Sequence, residues 1–352
     1  MAQAARPPHD HDLRAVFDAV GEADWQVLRG QRIFLTGGTG FVGKWLLATL
    51  AQARRQLSLD CRVTVLSRNP NAFRAEAPWL AEAPGIELLR GDVRDFALPA
   101  GRFDTVIHAA TDVVATATPL ETFDTCVLGT RRVLDLAVQA QAGRVLLVSS
   151  GAMYGRQPAD RVGVAENYAG APDITDVRSA YGEGKRVTEW LGAAYAQQHG
   201  LDVKVARCFA FVGPYLPLDK HFALGNFLRD AMAGQPIVIK GDGTALRTYL
   251  YAADMAAWLW AIVLRGERGG TYNVGGEEAV SIAELARRVA GAIGSASTVT
   301  VQAQPTAGMA PDRYMPNASK ALGTLGLPAP VALDEAIRRT AAWHRAETAL
   351  PA

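Results

Sequence analysis

Three side chains could move a proton together. Ser150 closes the apolar run Arg144 to Ser149, and Tyr181 and Lys185 sit at the start of a helical stretch further along. A tyrosine and a lysine one helical turn apart share a face, so the ammonium can stabilise the phenolate and bring its pKa from about 10 towards working pH. Such a tyrosine serves as base or acid. A serine at the C-terminal end of a parallel strand faces the crevice where α/β sheets bind ligands, and it can hold a reacting hydroxyl or carbonyl. With nine tyrosines in the chain the Tyr–Lys spacing alone is no more than suggestive. The placement of all three residues is what points to chemistry.

A second constellation precedes it. Thr36-Gly37-Gly38-Thr39-Gly40-Phe41-Val42-Gly43 follows the first β-like run and opens a helix through Trp45 to Leu50. Gly37, Gly40 and Gly43 allow a tight turn, close approach to a pyrophosphate and tight helix packing. The helix N-terminus, with Phe41 and Val42, supplies amide donors and a favourable dipole, and Thr39 lies in the turn itself. The plainer alternative is a turn whose glycines only permit the connection. At the end of the second run, Val63 to Asn69, no carboxylate is available for a ribose 2′-hydroxyl. Arg68 is there instead, either gripping a 2′-phosphate or simply solvated, so NADP is favoured over NAD without excluding it. In Gly91-Asp92-Val93, Asp92 is either an acceptor for the adenine amino group or a turn and helix-cap residue.

The elements that must position these groups follow from periodicity. Short β-rich runs at Arg32–Thr36, Arg62–Ser67, Ile86–Arg90, Thr105–Ala109, Arg144–Ser149 and Val203–Arg207 alternate with helical stretches. The alternation predicts an α/β fold with a doubly wound parallel sheet of Rossmann type. Residues 1–30 read as an N-terminal extension with a short helix carrying Leu13, Val16, Phe17 and Val20. Residues 31–212 read as the dinucleotide-binding domain with the catalytic residues, and 213–352, rich in Gly and Pro turns, mainly as a smaller substrate-binding lobe. The chain has 352 residues, 49% of them hydrophobic, enough for a large core. A formal net charge of +1 without basic runs argues against nucleic acid. No secretory leader or bilayer-length apolar run is visible, so a cytoplasmic location and no membrane are expected. Cys61, Cys126 and Cys208 are widely spaced and odd in number, which predicts neither disulfides nor a metal site.

Taken together these residues resemble the extended short-chain dehydrogenase/reductase family, the epimerase/dehydratase group acting on nucleotide sugars. The resemblance runs from residue 32 to about 345 and rests on the glycine turn, Gly91-Asp92-Val93, His108-Ala109-Ala110, Ser150, Tyr181, Lys185, Arg207 to Pro214, Gly241-Asp242-Gly243, Arg247, Tyr251 to Asp254 and Tyr272 to Gly275. It implies that Val93, Ala109, Ala110 and Thr111 line the cofactor site. It also implies that Arg247 meets the substrate diphosphate, that Asn226 within Phe222–Phe227 and Arg313 help form the nucleotide pocket, and that the chain is a homodimer. Two positions depart from the family. Gly151-Ala152 stand where sugar 4,6-dehydratases carry an Asp-Glu pair and nucleotide-glucuronate decarboxylases a glutamate, which disfavours the first activity and puts the second in doubt. Ala210 stands where many relatives have an asparagine that meets the substrate. What remains is redox at C4 of a nucleotide-diphosphate sugar: a 4-ketoreductase first, a 4-epimerase close behind, with a non-catalytic dinucleotide-sensing protein as the alternative of another class.

Overall fold

The computed structural model describes residues 5–111, 117–220 and 222–348. Six strands appear where the apolar runs place them: β1 Arg32–Thr36, β2 Arg62–Ser67, β3 Ile86–Arg90, β4 Thr105–His108, β5 Arg144–Ser150 and β6 Val203–Cys208. They form one parallel sheet in the order β3-β2-β1-β4-β5-β6, completed beside β6 by the strand Thr271–Val274. The central strands are mostly apolar because helices cover both faces; Ile33, Phe34 and Leu35 of β1 are all buried. The order reverses between β1 and β4, and in such sheets that switch point opens a crevice at the strand C-termini.

The helices follow from local signals. In chain order they are α1 Asp10–Val20, α2 Glu22–Gln26, α3 Phe41–Leu57, α4 Pro70–Glu76, α5 Pro78–Ala81, α6 Pro119–Gln139, α7 Ala180–His199, α8 Ala223–Met232 and α9 Ala252–Arg265. At the head of α6 the Thr118 hydroxyl accepts from the Glu121 amide, the Glu121 carboxylate accepts from the Thr118 amide, and Pro119 fills the first turn. Helix α7 stops at Gly200, whose φ of 70° suits a left-handed terminus.

The chain does not divide cleanly at residue 213. Helix α9, apolar on nearly every side, and the strand Thr271–Val274 return from the second half to complete the sheet layer. The segment from Ala5 to Leu28 likewise contributes to the main core. Gly21, at φ 89°, separates α1 from α2. Trp25 of α2 then lies with its ring centroid 5.2 Å from that of Trp260 on α9. Asp12 is fully buried: its carboxylate accepts from the Tyr251 hydroxyl at 2.6 Å and from Arg339 at 2.8 Å. Removing one partner of a buried ion pair strands the other. Asp12→Ala is therefore expected to cost about 3 kcal/mol, measured as a lowered urea midpoint at constant slope.

Candidate active site

The crevice at the switch point is a cavity of about 230 Å³. Gly37, Thr39 and Gly40 line it from the β1–α3 turn, Arg68 from the end of β2, and Asp92 and Val93 from the loop after β3. Ala109, Ala110 and Thr111 close it from the end of β4. Thr36, Leu66, Ser67 and Thr125 also line it and were not singled out from sequence. Phe41, Val42 and Gly43 sit behind this wall, in the first turn of α3. The Phe41 ring stacks on Phe211 at 6.3 Å. At Gly43 a Cβ would fall 2.2 Å from the Gly37 carbonyl oxygen.

Gly37 has no alternative. Its φ is 71°, and a Cβ there would lie 2.5 Å from the Ala109 carbonyl carbon and oxygen, so β1 and β4 can meet only through a residue without a side chain. Gly40 caps α3 without a side-chain hydrogen bond, leaving first-turn amides for an anion. Asp92 takes both roles open to it in part. It accepts from the Arg94 amide and guanidinium at 2.9 to 3.0 Å, contacts that hold its carboxyl below the usual range, and it still borders the cavity. These features fit a dinucleotide.

Below the crevice, β5 delivers Ser150 and α7 delivers Tyr181 and Lys185. Lys185 is almost fully buried; its Nζ donates to Thr111 Oγ1 at 2.6 Å and to the Val148 carbonyl at 2.7 Å, and lies 5.8 Å from the Tyr181 ring centroid. Burial pushes the Lys185 ammonium down. The expectation that Lys185 lowers the tyrosine pKa is not met by the protein's own groups. Burial pushes the Tyr181 phenol up, and the opposing influence is a hydrogen bond from Ser150. Desolvation of a phenolate outweighs a lysine that already spends two of its three protons on neutral oxygens. His108, also buried, joins Thr36 Oγ1 at 2.7 Å to Thr130 Oγ1 at 3.2 Å, and burial drives its pKa down to about 3, so it stays neutral.

Two further aromatic residues not singled out from sequence join the site, Phe209 directly after β6 and Tyr314 from the lobe. The Phe209 ring fills the space beside Gly151, where a Cβ would lie 2.5 Å from Cε1. Tyr314 reaches Ser150, with Oη 3.2 Å from Oγ. Only an arginine beside it, at 313, pointed to this segment from sequence.

The expected substrate residues divide. Arg247 and Arg313 flank the same small sheet, where Leu246–Arg247 pairs with Arg313–Tyr314. Arg247 donates to Asp312 at 2.8 Å. The buried Arg313 Nε has no hydrogen-bond partner among the described residues, a donor that an incoming anion would satisfy. Ala210 follows β6, its carbonyl accepting from the Leu250 amide at 3.0 Å. Asn226 serves its own loop, donating to the Lys220 carbonyl at 2.8 Å and accepting from Arg229 at 3.1 Å.

Comparison with known proteins agrees with this architecture. Residues 33–275 match the model of the NAD dependent epimerase/dehydratase family. UDP-glucuronic acid decarboxylase 6 of Arabidopsis thaliana is 30% identical over 309 residues, 87% of this chain and 86% of that protein. A dTDP-glucose 4,6-dehydratase of Streptomyces venezuelae, solved with NAD bound, superposes with a TM-score of 0.76 at 26% identity, covering 90% of this chain and 97% of that one. The epimerase Mth375 of Methanothermobacter thermautotrophicus gives a TM-score of 0.78 at 22% identity over 94% of this chain and 97% of that one.

Gly37→Ala forces a side chain into the β4 backbone. It is expected to weaken dinucleotide binding about a hundredfold by calorimetry, and to cost about 1–3 kcal/mol of stability from backbone strain.

Proposed function

Because the chain belongs to the NAD-dependent epimerase/dehydratase family, we propose that it catalyses hydride exchange at C4 of a nucleotide-diphosphate sugar, in net form the reduction of a 4-keto sugar. The observation that carries this reading is the composition of the wall around Ser150 and Tyr181: hydroxyls, a lysine and aromatic rings, with Gly151 and Ala152 offering no carboxylate. Eliminating a C6 hydroxyl needs an additional acid and base at the sugar, whereas redox at C4 needs one proton carrier.

When bound, the nicotinamide supplies or accepts the hydride at C4. The residues of the chain manage the proton. In the reducing direction Tyr181 gives its proton to the C4 oxygen while Ser150 holds that oxygen; in the oxidising direction both transfers run backwards. Lys185 keeps its third N–H for the ribose or the phenolate. Arg313, with its unpaired Nε, and Arg247, exchanging Asp312 for phosphate, would hold the diphosphate.

Arg68 at the end of β2 supports NADPH as reductant. A second reading has a specific observation in its favour: the decarboxylases among the relatives act on UDP-glucuronic acid, and oxidation at C4 alone makes such an acid a β-keto acid that can lose carbon dioxide. The deciding experiment incubates the protein with nucleotide 4-keto sugars, nucleotide hexoses and nucleotide glucuronates, following reduced-nicotinamide absorbance and the sugar by NMR. Stoichiometric NADPH loss with a 4-keto sugar is the expected result. Carbon dioxide release supports the decarboxylase, and an inverted C4 without net redox supports an epimerase. Turnover of none of them, with tight dinucleotide binding, refutes the enzymatic reading.

We further propose a homodimer across α6 and α7, whose outer faces expose Leu120, Leu128 and Trp190 at 77%, 47% and 67%. Trp190→Glu should shift the protein to monomer by light scattering. For cofactor choice, Arg68→Ala is expected to weaken NADPH binding at least about tenfold while NADH affinity stays within about twofold, since only the 2′-phosphate loses a charge-assisted contact.

A further inference from the structure

Ser150 Oγ has one proton to give and two lone pairs to fill. The Ala152 amide donates to one lone pair at 3.1 Å. Two phenols compete for what is left: Tyr314 Oη at 3.2 Å, and Tyr181, whose interaction with this hydroxyl opposes the upward push of burial. One serine proton cannot serve both. One phenol must therefore donate to Ser150 and the other receive from it.

The surroundings decide which. Tyr314 is clamped by the Phe209 ring, with centroids 4.8 Å apart; its oxygen also receives from the Ala152 amide, and the Cys208 carbonyl lies at a long 3.5 Å. A phenolate can only accept, so the phenol that ionises takes the serine proton and the other donates to Ser150. Tyr181 has the Lys185 ammonium on its face and is the phenol that must pass through an ionised state.

We propose that Tyr314 is a positioning residue: it donates to Ser150 Oγ, fills the second lone pair, and leaves the one serine proton for Tyr181 when that phenol is ionised and for the substrate oxygen when it is not. Donation into Ser150 polarises its hydroxyl and strengthens its hydrogen bond to the Tyr181 phenolate. Because Tyr314 pairs with Arg247 in the small lobe sheet and follows Arg313, the strand that offers nitrogen donors to a diphosphate also orients the serine. This inference rests on the C4 redox reading, which makes Tyr181 the phenol that ionises.

The test compares wild type, Tyr314→Phe, Ser150→Ala and the double variant, each loaded with oxidised dinucleotide and labelled at tyrosine Cζ. Tyrosine→Phe keeps the ring against Phe209; Tyr314→Leu is the second variant should that ring prove insufficient for folding. The NMR titration of Tyr181 is expected to move upward by about one pH unit, a tenfold change in its ionisation constant, in Tyr314→Phe. No further shift is expected when Ser150 is already absent. With a turnover substrate, kcat should fall with KM unchanged, and the limb of the pH–rate profile should move in the same direction. Identical Tyr181 titrations in wild type and Tyr314→Phe, including no ionisation in either below the pH of unfolding, overturn the proposal. So does an equal shift with and without Ser150. Absence of turnover on every sugar would instead count against the proposed activity, leaving the titration to judge Tyr314.

Discussion

The ion pair between Arg207 and Glu189 fixes the geometry on which the site depends. Arg207 on β6 binds the Glu189 carboxylate through Nε at 3.0 Å and Nη2 at 2.7 Å, and both side chains are nearly buried. Glu189 lies one helical turn beyond Lys185 on α7 and also accepts from Ser149 at 2.6 Å, the residue next to Ser150. A single carboxylate thus sets the helix bearing Tyr181 and Lys185 against the strand bearing Ser150. Arg207 extends the network to Tyr154 at 2.7 Å, and Tyr154 donates to Asn273 at 2.9 Å, so the strand contributed by the second half of the chain is tied to the same point. Two forked charges satisfy each other without bulk water, which makes the pair a rigid gauge and costly to break from one side.

A neutral network does the corresponding work between the cofactor turn and the catalytic helix. The Thr36 hydroxyl meets His108 and accepts from the Ala110 amide at 3.2 Å. His108 meets Thr130, and Thr130 meets Thr188 on α7 at 3.0 Å. An imidazole that stays uncharged can act as donor at one nitrogen and acceptor at the other, so the path links two neighbouring strands and two helices without burying a net charge. Lys185 places a cation beside this path, and the oxygens of Thr111 and Val148 solvate it in place of water.

Much of this was legible in the sequence because the responsible signals are local. The apolar runs gave the six strands to within a residue at their ends, since a strand covered on both faces must be mostly apolar. Gly37 was readable because a turn between strand and helix requires it, and the Tyr181–Lys185 spacing because one helix carries both. What escaped notice was long-range. Tyr314 sits in a two-residue strand whose position comes wholly from pairing with Leu246–Arg247, so no periodicity marks it. The strand Thr271–Val274 is short for the same reason. The direction of the Tyr181 pKa depends on how completely the folded lobe excludes water, and spacing along a helix carries no information about that.

The same long-range packing makes the chemistry at Gly151 more than a matter of one residue type. Phe209, which occupies the side-chain space at 151, is held on one face by Tyr314 at 4.8 Å and approached by Tyr154 at 6.3 Å. A Cβ added at Gly275 would also meet Phe209 Cβ at 3.0 Å. A carboxylate at 151 would need that ring to leave, the departure would loosen Tyr314, and Tyr314 in turn touches Ser150. An aspartate there would also bring a charge against an aromatic wall, and a buried charge is costly to desolvate. The small residue at 151 is therefore built into three packed rings and the serine they surround, and a larger residue there would require the wall to change as a unit.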